Sequence, residues 1–139
     1  MVASRIAACI SPRIADGRVL VDHQFHNPLD LLGELDRFDA VIATRMHMAI
    51  LALAAGVPVL PIAYEFKTVE LFARLGMADW VTAIEDVNPE NFPATVQGFI
   101  DALPGSRKQL FVAVGKERQL ALSAGPLLRS AASQARTAA

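Results

Sequence analysis

The stretch from Thr44 to Tyr64 reads TRMHMAILALAAGVPVLPIAY and carries no charge from Met48 onward. Gly56, Pro58 and Pro61 divide it well short of the ~20 continuous apolar residues that a membrane-spanning helix needs. The reading that remains is a buried helix, a tight turn and a buried strand, entered through Arg45 and His47. Thr44 can cap that helix, which is expected over Arg45 to Ala55, and Gly56 suits the turn that ends it. Val57 to Ile62 (VPVLPI) is the expected strand. Its two prolines cannot donate to a ladder, so an edge position or a bulge is expected.

Upstream, Asp39 to Thr44 (DAVIAT) reads as a strand with a non-alternating apolar centre, as found where both faces are covered. Before it, Asn27, Pro28 and Asp30 form a helix-start signature, with a capping side chain, proline at the first position and an acid where the dipole favours one. That helix is expected to reach about Arg37, with Leu29, Leu32 and Leu35 facing the core. Arg18 to Asp22 (RVLVD) reads as a strand and His23 to Asn27 as a loop. Val2 to Ile10 is compatible with either a short helix or a strand.

Downstream, a helix is expected from Glu65 or Phe66 to Leu75, stopped by Gly76, and a short strand over Trp80 to Ile84. An amphipathic helix should open at Pro89 and Glu90 and run to Leu103, where Pro104 and Gly105 close it. A last helix follows over Arg107 to Leu122, and the Ala/Ser-rich tail after Gly125 and Pro126 is weakly helical at best. Strands thus alternate with helices, without an internal repeat. The expected fold is α/β, a parallel sheet with helices on both faces, as one domain over 1–125 with a weakly structured tail over 126–139.

The composition narrows the function. A 139-residue chain with 53% hydrophobic residues can bury one core, and a net charge of -1 argues against a dedicated nucleic-acid binder. Cys9 is the only cysteine, so no internal disulfide framework can form, and its apolar setting suits a packing role. No signal-peptide pattern opens the chain. A cytoplasmic location, with peripheral contact at the inner membrane face as its variant, is the default expectation.

Ligands of parallel α/β sheets bind beyond the carboxyl ends of the strands. The residues just past the expected ends are His23, Arg45 with His47, and Tyr64 with Glu65 and Lys67. Arg45 and His47 lie in a first helical turn, where free N–H groups and the dipole favour an anion. Arginine can grip a phosphate or carboxylate bidentately, and histidine is the side-chain type that exchanges a proton near neutrality. The plain alternative pairs Arg45 with Asp39 or another local acid and makes His47 a hydrogen-bonded core residue. Lys67, Tyr64 and Glu65 are equally compatible with a solvated lysine, core packing and a helix-start acid.

His23 and His26 have H-x-x-H spacing, yet nothing nearby completes a metal set, and solvated loop histidines are the better reading. The sequence has no G-x-G-x-x-G, no G-x-x-x-x-G-K-[ST] and no G-x-S-x-G, so nucleotide loops and a nucleophile elbow lack motif support.

The run DAVIATRMHMAILALAAGVPVLPIAYEFKTVELFARLGM, Asp39 to Met77, resembles the C-terminal signature of the polysaccharide pyruvyl transferases. The shared order is a strand, Arg-Leu-His, an Ala-rich helix, Gly-Val-Pro, a strand ending in Tyr, an acid and Lys before a helix closed by Leu-Gly. Met46 stands where the family has leucine, a volume-conserving change. The resemblance implies a Rossmann-like domain, one half of a GT-B-like enzyme. Such an enzyme transfers the carboxyvinyl part of phosphoenolpyruvate to sugar hydroxyls, making a pyruvate ketal in a cell-surface polysaccharide. It further implies that Arg45, Lys67, Tyr64 and Thr44 bind substrate, with His47, and secondarily Glu65, as acid or base. No metal and no cofactor besides the donor substrate are implied.

The expected partners are phosphoenolpyruvate and a saccharide acceptor. The chain has about the length of the family's C-terminal domain, so a missing N-terminal domain, or association with another copy, is expected to complete it, and it is expected to be inactive alone. Competing readings are the nucleotide-sugar site of a GT-B glycosyltransferase and a non-catalytic self-associating module.

Overall fold

The structure is a computed structural model that describes residues 20–137, with side chains described throughout except at 127 and 131–137. Val2 to Ile10 and Cys9 lie outside the described residues, as do Arg18 and Val19 of the first expected strand. Leu20 to Asp22 form no strand.

Helix α1 is Pro28–Leu35. The Asn27 side chain accepts from the amides of Leu29 (3.0 Å) and Asp30 (3.1 Å), and Pro28 sits where its missing N–H costs nothing. Leu35 is buried and Leu31 packs against the core, but Leu29 is 78% exposed. Leu29 lies two positions before Leu31, which places it roughly 160° round the helix from that side chain. Leu29 therefore belongs to the solvent face, contrary to the sequence expectation.

Strand β1, Val41–Ala43, leads to helix α2, Met46–Ala54, then to strand β2, Val59–Ala63, and helix α3, Phe66–Arg74. A 3-10 turn at Ala78–Trp80, the two-residue strand β3 at Thr82–Ala83 and a second 3-10 turn at Ile84–Asp86 follow. The three strands are parallel in the order β1-β2-β3, with Val41 paired to Val59, Ala43 to Pro61 and Ile62 to Thr82. With helices around a parallel sheet, the chain is an α/β protein.

The proline-bearing strand is central, and the edge position expected for it is not found. The Pro58 carbonyl accepts from Val41 N–H at 2.9 Å, so it faces β1. Backbone groups alternate sides along a strand, which turns the Pro61 nitrogen toward β3. Pairing with β3 begins only at Ile62. The missing donor thus falls where no ladder bond is asked of it.

Both crossover helices end alike. Gly56 (φ 77°) and Gly76 (φ 69°) take the left-handed backbone that glycine adopts without a Cβ penalty. Gly56 N–H donates to Leu53 and Val57 N–H to Ala52, while Gly76 N–H donates to Ala73 and Met77 N–H to Phe72. These are two Schellman closures, each followed by a buried residue, Val57 or Met77. The two strand-helix units share this shape although their side chains do not repeat.

The core joins Leu35, Ala43, Ala49, Leu53, Val59, Phe72 and Leu110. Phe72 is wholly buried, and removing its ring would cost about 3–5 kcal/mol. Trp80 and Phe99 meet edge to face at 5.1 Å.

Helix α4 is continuous over Phe92–Thr137, 46 residues. It opens after Asn88, whose side chain accepts from the amides of Glu90 and Asn91 at 3.0 and 2.9 Å. The break expected at Pro104 does not occur, nor does the helix stop at Pro126. Phe99 and Leu110 are both buried and lie eleven residues apart, three turns and nearly the same bearing. Packing on both sides of Pro104 therefore holds the axis where the missing N–H would otherwise release it.

Candidate functional site

β1 and β2 are neighbours, and both carboxyl ends open on the same edge of the sheet. Thr44 and Tyr64 are the first residues past these ends, and Arg45 and Glu65 are the N-caps of α2 and α3. Thr44, expected to cap α2, stands one position too early. Neither N-cap side chain bonds to its own helix. His47 and Lys67 then occupy the same place, the second residue of their helices.

Each first turn consequently presents amide N–H groups without a side-chain cap, at the end where the dipole is positive. This feature was not foreseen in the sequence. Its signal is the pair of residue types at the caps, arginine and glutamate, where Ser, Thr, Asp or Asn would close the helix.

Thr44, Arg45, His47, Tyr64 and Lys67 are exposed and Glu65 is half-buried. Arg45, His47 and Lys67 form no side-chain hydrogen bond or ion pair with another described residue. Asp39, the acid offered as an alternative partner for Arg45, is instead approached by Arg107, whose Nη2 lies 3.5 Å from Oδ1 and 3.4 Å from the Asp39 carbonyl oxygen. His47 is not a core residue either. The edge therefore presents two unengaged cations and a solvent-facing imidazole beside two open helix starts. Chemically, that set can hold an anion with two acceptor groups and exchange a proton next to it.

The other sequence candidates lie elsewhere. His23 is exposed in the irregular segment before α1, and no described strand carries it to the sheet edge. His26 Nε2 contacts Asp22 Oδ2 at 2.5 Å. The Asp22 carboxyl is held below the usual carboxylate range, first by the Gln24 amide and then by His26. Among the described residues no three His, Cys, Asp or Glu side chains gather to hold a metal ion.

An apolar groove of about 560 Å3 runs between α2, α3 and α4, lined by Ile50, Leu53, Leu71, Leu75, Leu110 and Phe111 among others. It includes Ala55 and Gly56 at the far end of α2 and none of the edge residues.

The model of the family described as polysaccharide pyruvyl transferase matches residues 3–65, a span that ends on Glu65 and includes Arg45 and His47. Over that span the chain matches the polysaccharide pyruvyl transferase family. It is 30% identical over 103 residues to the amylovoran biosynthesis protein AmsJ of Erwinia amylovora, an alignment covering 74% of this chain and 24% of the relative. The chain thus spans about a quarter of the length of that curated relative. No solved structure matches it. Among the described residues, no helix is long and apolar enough to cross a membrane.

Proposed function

We propose that this chain is the donor-binding portion of a polysaccharide pyruvyl transferase acting in exopolysaccharide biosynthesis, and that the open edge of β1 and β2 receives phosphoenolpyruvate. The observation that carries this reading is the pairing of uncapped helix starts with the unengaged cations Arg45 and Lys67. Phosphoenolpyruvate bears a phosphate and a carboxylate on a three-carbon frame. Arg45 suits bidentate contact with one group, and Lys67 supplies a point charge for the other. The amides of the two first turns add hydrogen bonds that need no side chain. Thr44 and Tyr64 flank the ligand with hydroxyl groups, and the arrangement fits one half of a GT-B-like enzyme.

Ketal formation adds one sugar hydroxyl oxygen to the central carbon of the donor while the vinyl carbon takes a proton and becomes a methyl group. A second hydroxyl of the acceptor then displaces phosphate and loses its own proton. One group must give a proton to carbon and one must take protons from oxygen. His47, exposed beside Arg45, is assigned to this traffic, with Glu65 at the cap of α3 as the secondary candidate. The saccharide acceptor would be bound with the help of protein outside this chain.

Titration calorimetry of this chain with phosphoenolpyruvate, and with a panel of nucleotide sugars, tests the reading. Binding of phosphoenolpyruvate that is lost in Arg45→Ala and in Lys67→Ala supports it. Binding of nucleotide sugars alone would refute it in favour of a glycosyltransferase donor site.

A further inference from the structure

Charge is unevenly distributed along this chain. Residues 1–103 hold seven Lys or Arg and thirteen Asp or Glu, whereas residues 104–137 hold six Lys or Arg and a single acid, Glu117. That acid is spent inside the molecule, since its Oε2 accepts from Arg74 Nη2 of α3 at 2.6 Å. The remainder of the segment is a cationic rod attached to an acidic body.

Helix α4 also sorts its faces. Leu110, Val114 and Glu117 recur at spacings of four and three and turn toward α2 and α3. Lys108, Phe111, Gly115, Arg118 and Leu122 recur at three, four, three and four, forming a second strip along the outside. On it Phe111 is 80% exposed and Leu122 67%, with Val112 alongside at 53%. Lys108, Lys116 and Arg118 are exposed and engage no described acid. The apolar groove opens next to this strip and shares Phe111, Gly115 and Arg118 with it.

Large apolar side chains interleaved with bases, and free of acids, suit a partner that offers both apolar and anionic groups. A nucleic acid would satisfy the bases and leave Phe111 and Leu122 in water. A neutral protein face would satisfy the apolar residues and strand the charges. The headgroup region of an anionic bilayer takes both, because phosphates meet the bases while rings and branched chains enter the acyl boundary. We propose that the outer strip of α4 docks this chain on the surface of an anionic phospholipid membrane. Phe111, Val112 and Leu122 enter the interface there, with Lys108, Lys116 and Arg118 on the lipid phosphates.

Co-sedimentation of the full chain with phosphatidylcholine vesicles, with and without phosphatidylglycerol, tests this. Binding should be at least about tenfold stronger to the anionic vesicles and weaken with salt. The pair Lys108→Gln and Arg118→Gln should lower it roughly fivefold per base. The pair Phe111→Ser and Leu122→Ser should abolish it while circular dichroism stays unchanged. Equal binding to neutral vesicles, or none to either, would overturn the proposal. So would binding that ignores the Phe111 and Leu122 substitutions, which would mark a purely electrostatic contact. A dimer seen by light scattering, dissolved by the Phe111 and Leu122 pair and accompanied by no vesicle binding, would overturn it in favour of a second copy.

Discussion

Arg45 and Glu65 occupy the same structural position, the N-cap of the helix that follows one of two neighbouring parallel strands, and neither closes its helix with its side chain. A cation and an acid thus stand at matching corners of one edge. On the function proposed above, in which this edge receives an anion and moves protons, opposite chemical roles stand on equivalent backbone.

Arg45→Ala should therefore separate binding from stability. The side chain is exposed and has no described partner, so unfolding free energy should change by less than about 0.5 kcal/mol. Phosphoenolpyruvate affinity should fall by about 1.5–3 kcal/mol, the range for a hydrogen bond to a charged group. Calorimetry and urea unfolding on the same sample check both. A large stability loss would show that Arg45 is structural.

His47→Gln should leave donor binding within about threefold, yet reduce pyruvyl transfer by about 10²-fold or more when measured in a complete enzyme that contains this segment. Unaltered turnover would remove His47 from the proton traffic. Glu65→Gln then becomes the decisive variant.

Two glycine-to-alanine substitutions should act in opposite directions. Gly56→Ala places a Cβ in open space but at φ 77°, so its cost is conformational, about 1 kcal/mol. Gly33→Ala, inside α1 with equal space and no positive φ, should stabilise by about 0.5–1 kcal/mol. Urea midpoints of the two variants should fall on either side of the unmodified chain.

The Arg74 to Glu117 pair fastens α4 to α3 at 2.6 Å, with Arg74 side-chain exposure at 66%. In such solvent, Glu117→Ala should cost only about 0.5 kcal/mol. Phe72→Ala, a few residues away in the core, should cost about 3–5 kcal/mol. Thermal or chemical unfolding that ranked these the other way would mean that charge, and not packing, holds the long helix.

The Asp22 clasp carries a pH signature. Its carboxyl is held below the ordinary range by the Gln24 amide and His26, so the clasp is complete above the unfolded-state value. It is lost only as pH falls through the lower folded one. The Gln24 amide resonance, followed by NMR, should titrate at a lower pH than a free aspartate. A midpoint at or above the free value would contradict the geometry.

The α/β order was legible wherever a local signal coincided with tertiary packing. Asn27 with Pro28 announced α1, and Gly56 and Gly76 announced the two helix ends, because capping and positive φ are settled within a few residues. Thr44 and Leu29 were misplaced for the same reason, that a shift of one or two positions swings a side chain around a helix and no local rule fixes it. The central position of VPVLPI was hidden because it depends on where β3 begins to pair. Pro104 misled in the other direction, since contacts of Phe99 and Leu110 with distant residues outweigh a lost hydrogen bond. The edge residues Arg45, His47 and Lys67 were found by topology alone, whereas the emptiness of their helix starts needed coordinates.

The paired Schellman closures have a mechanical consequence. α2 and α3 are locked at their far ends by Gly56 and Gly76 and left loose where Arg45 and Glu65 stand. Fraying should then concentrate in the amides of residues 46–48 and 66–68, with those of 52–57 and 72–77 exchanging last. The anion proposed for this edge would become the cap that the sequence omits, so that the ligand itself would complete the two helices.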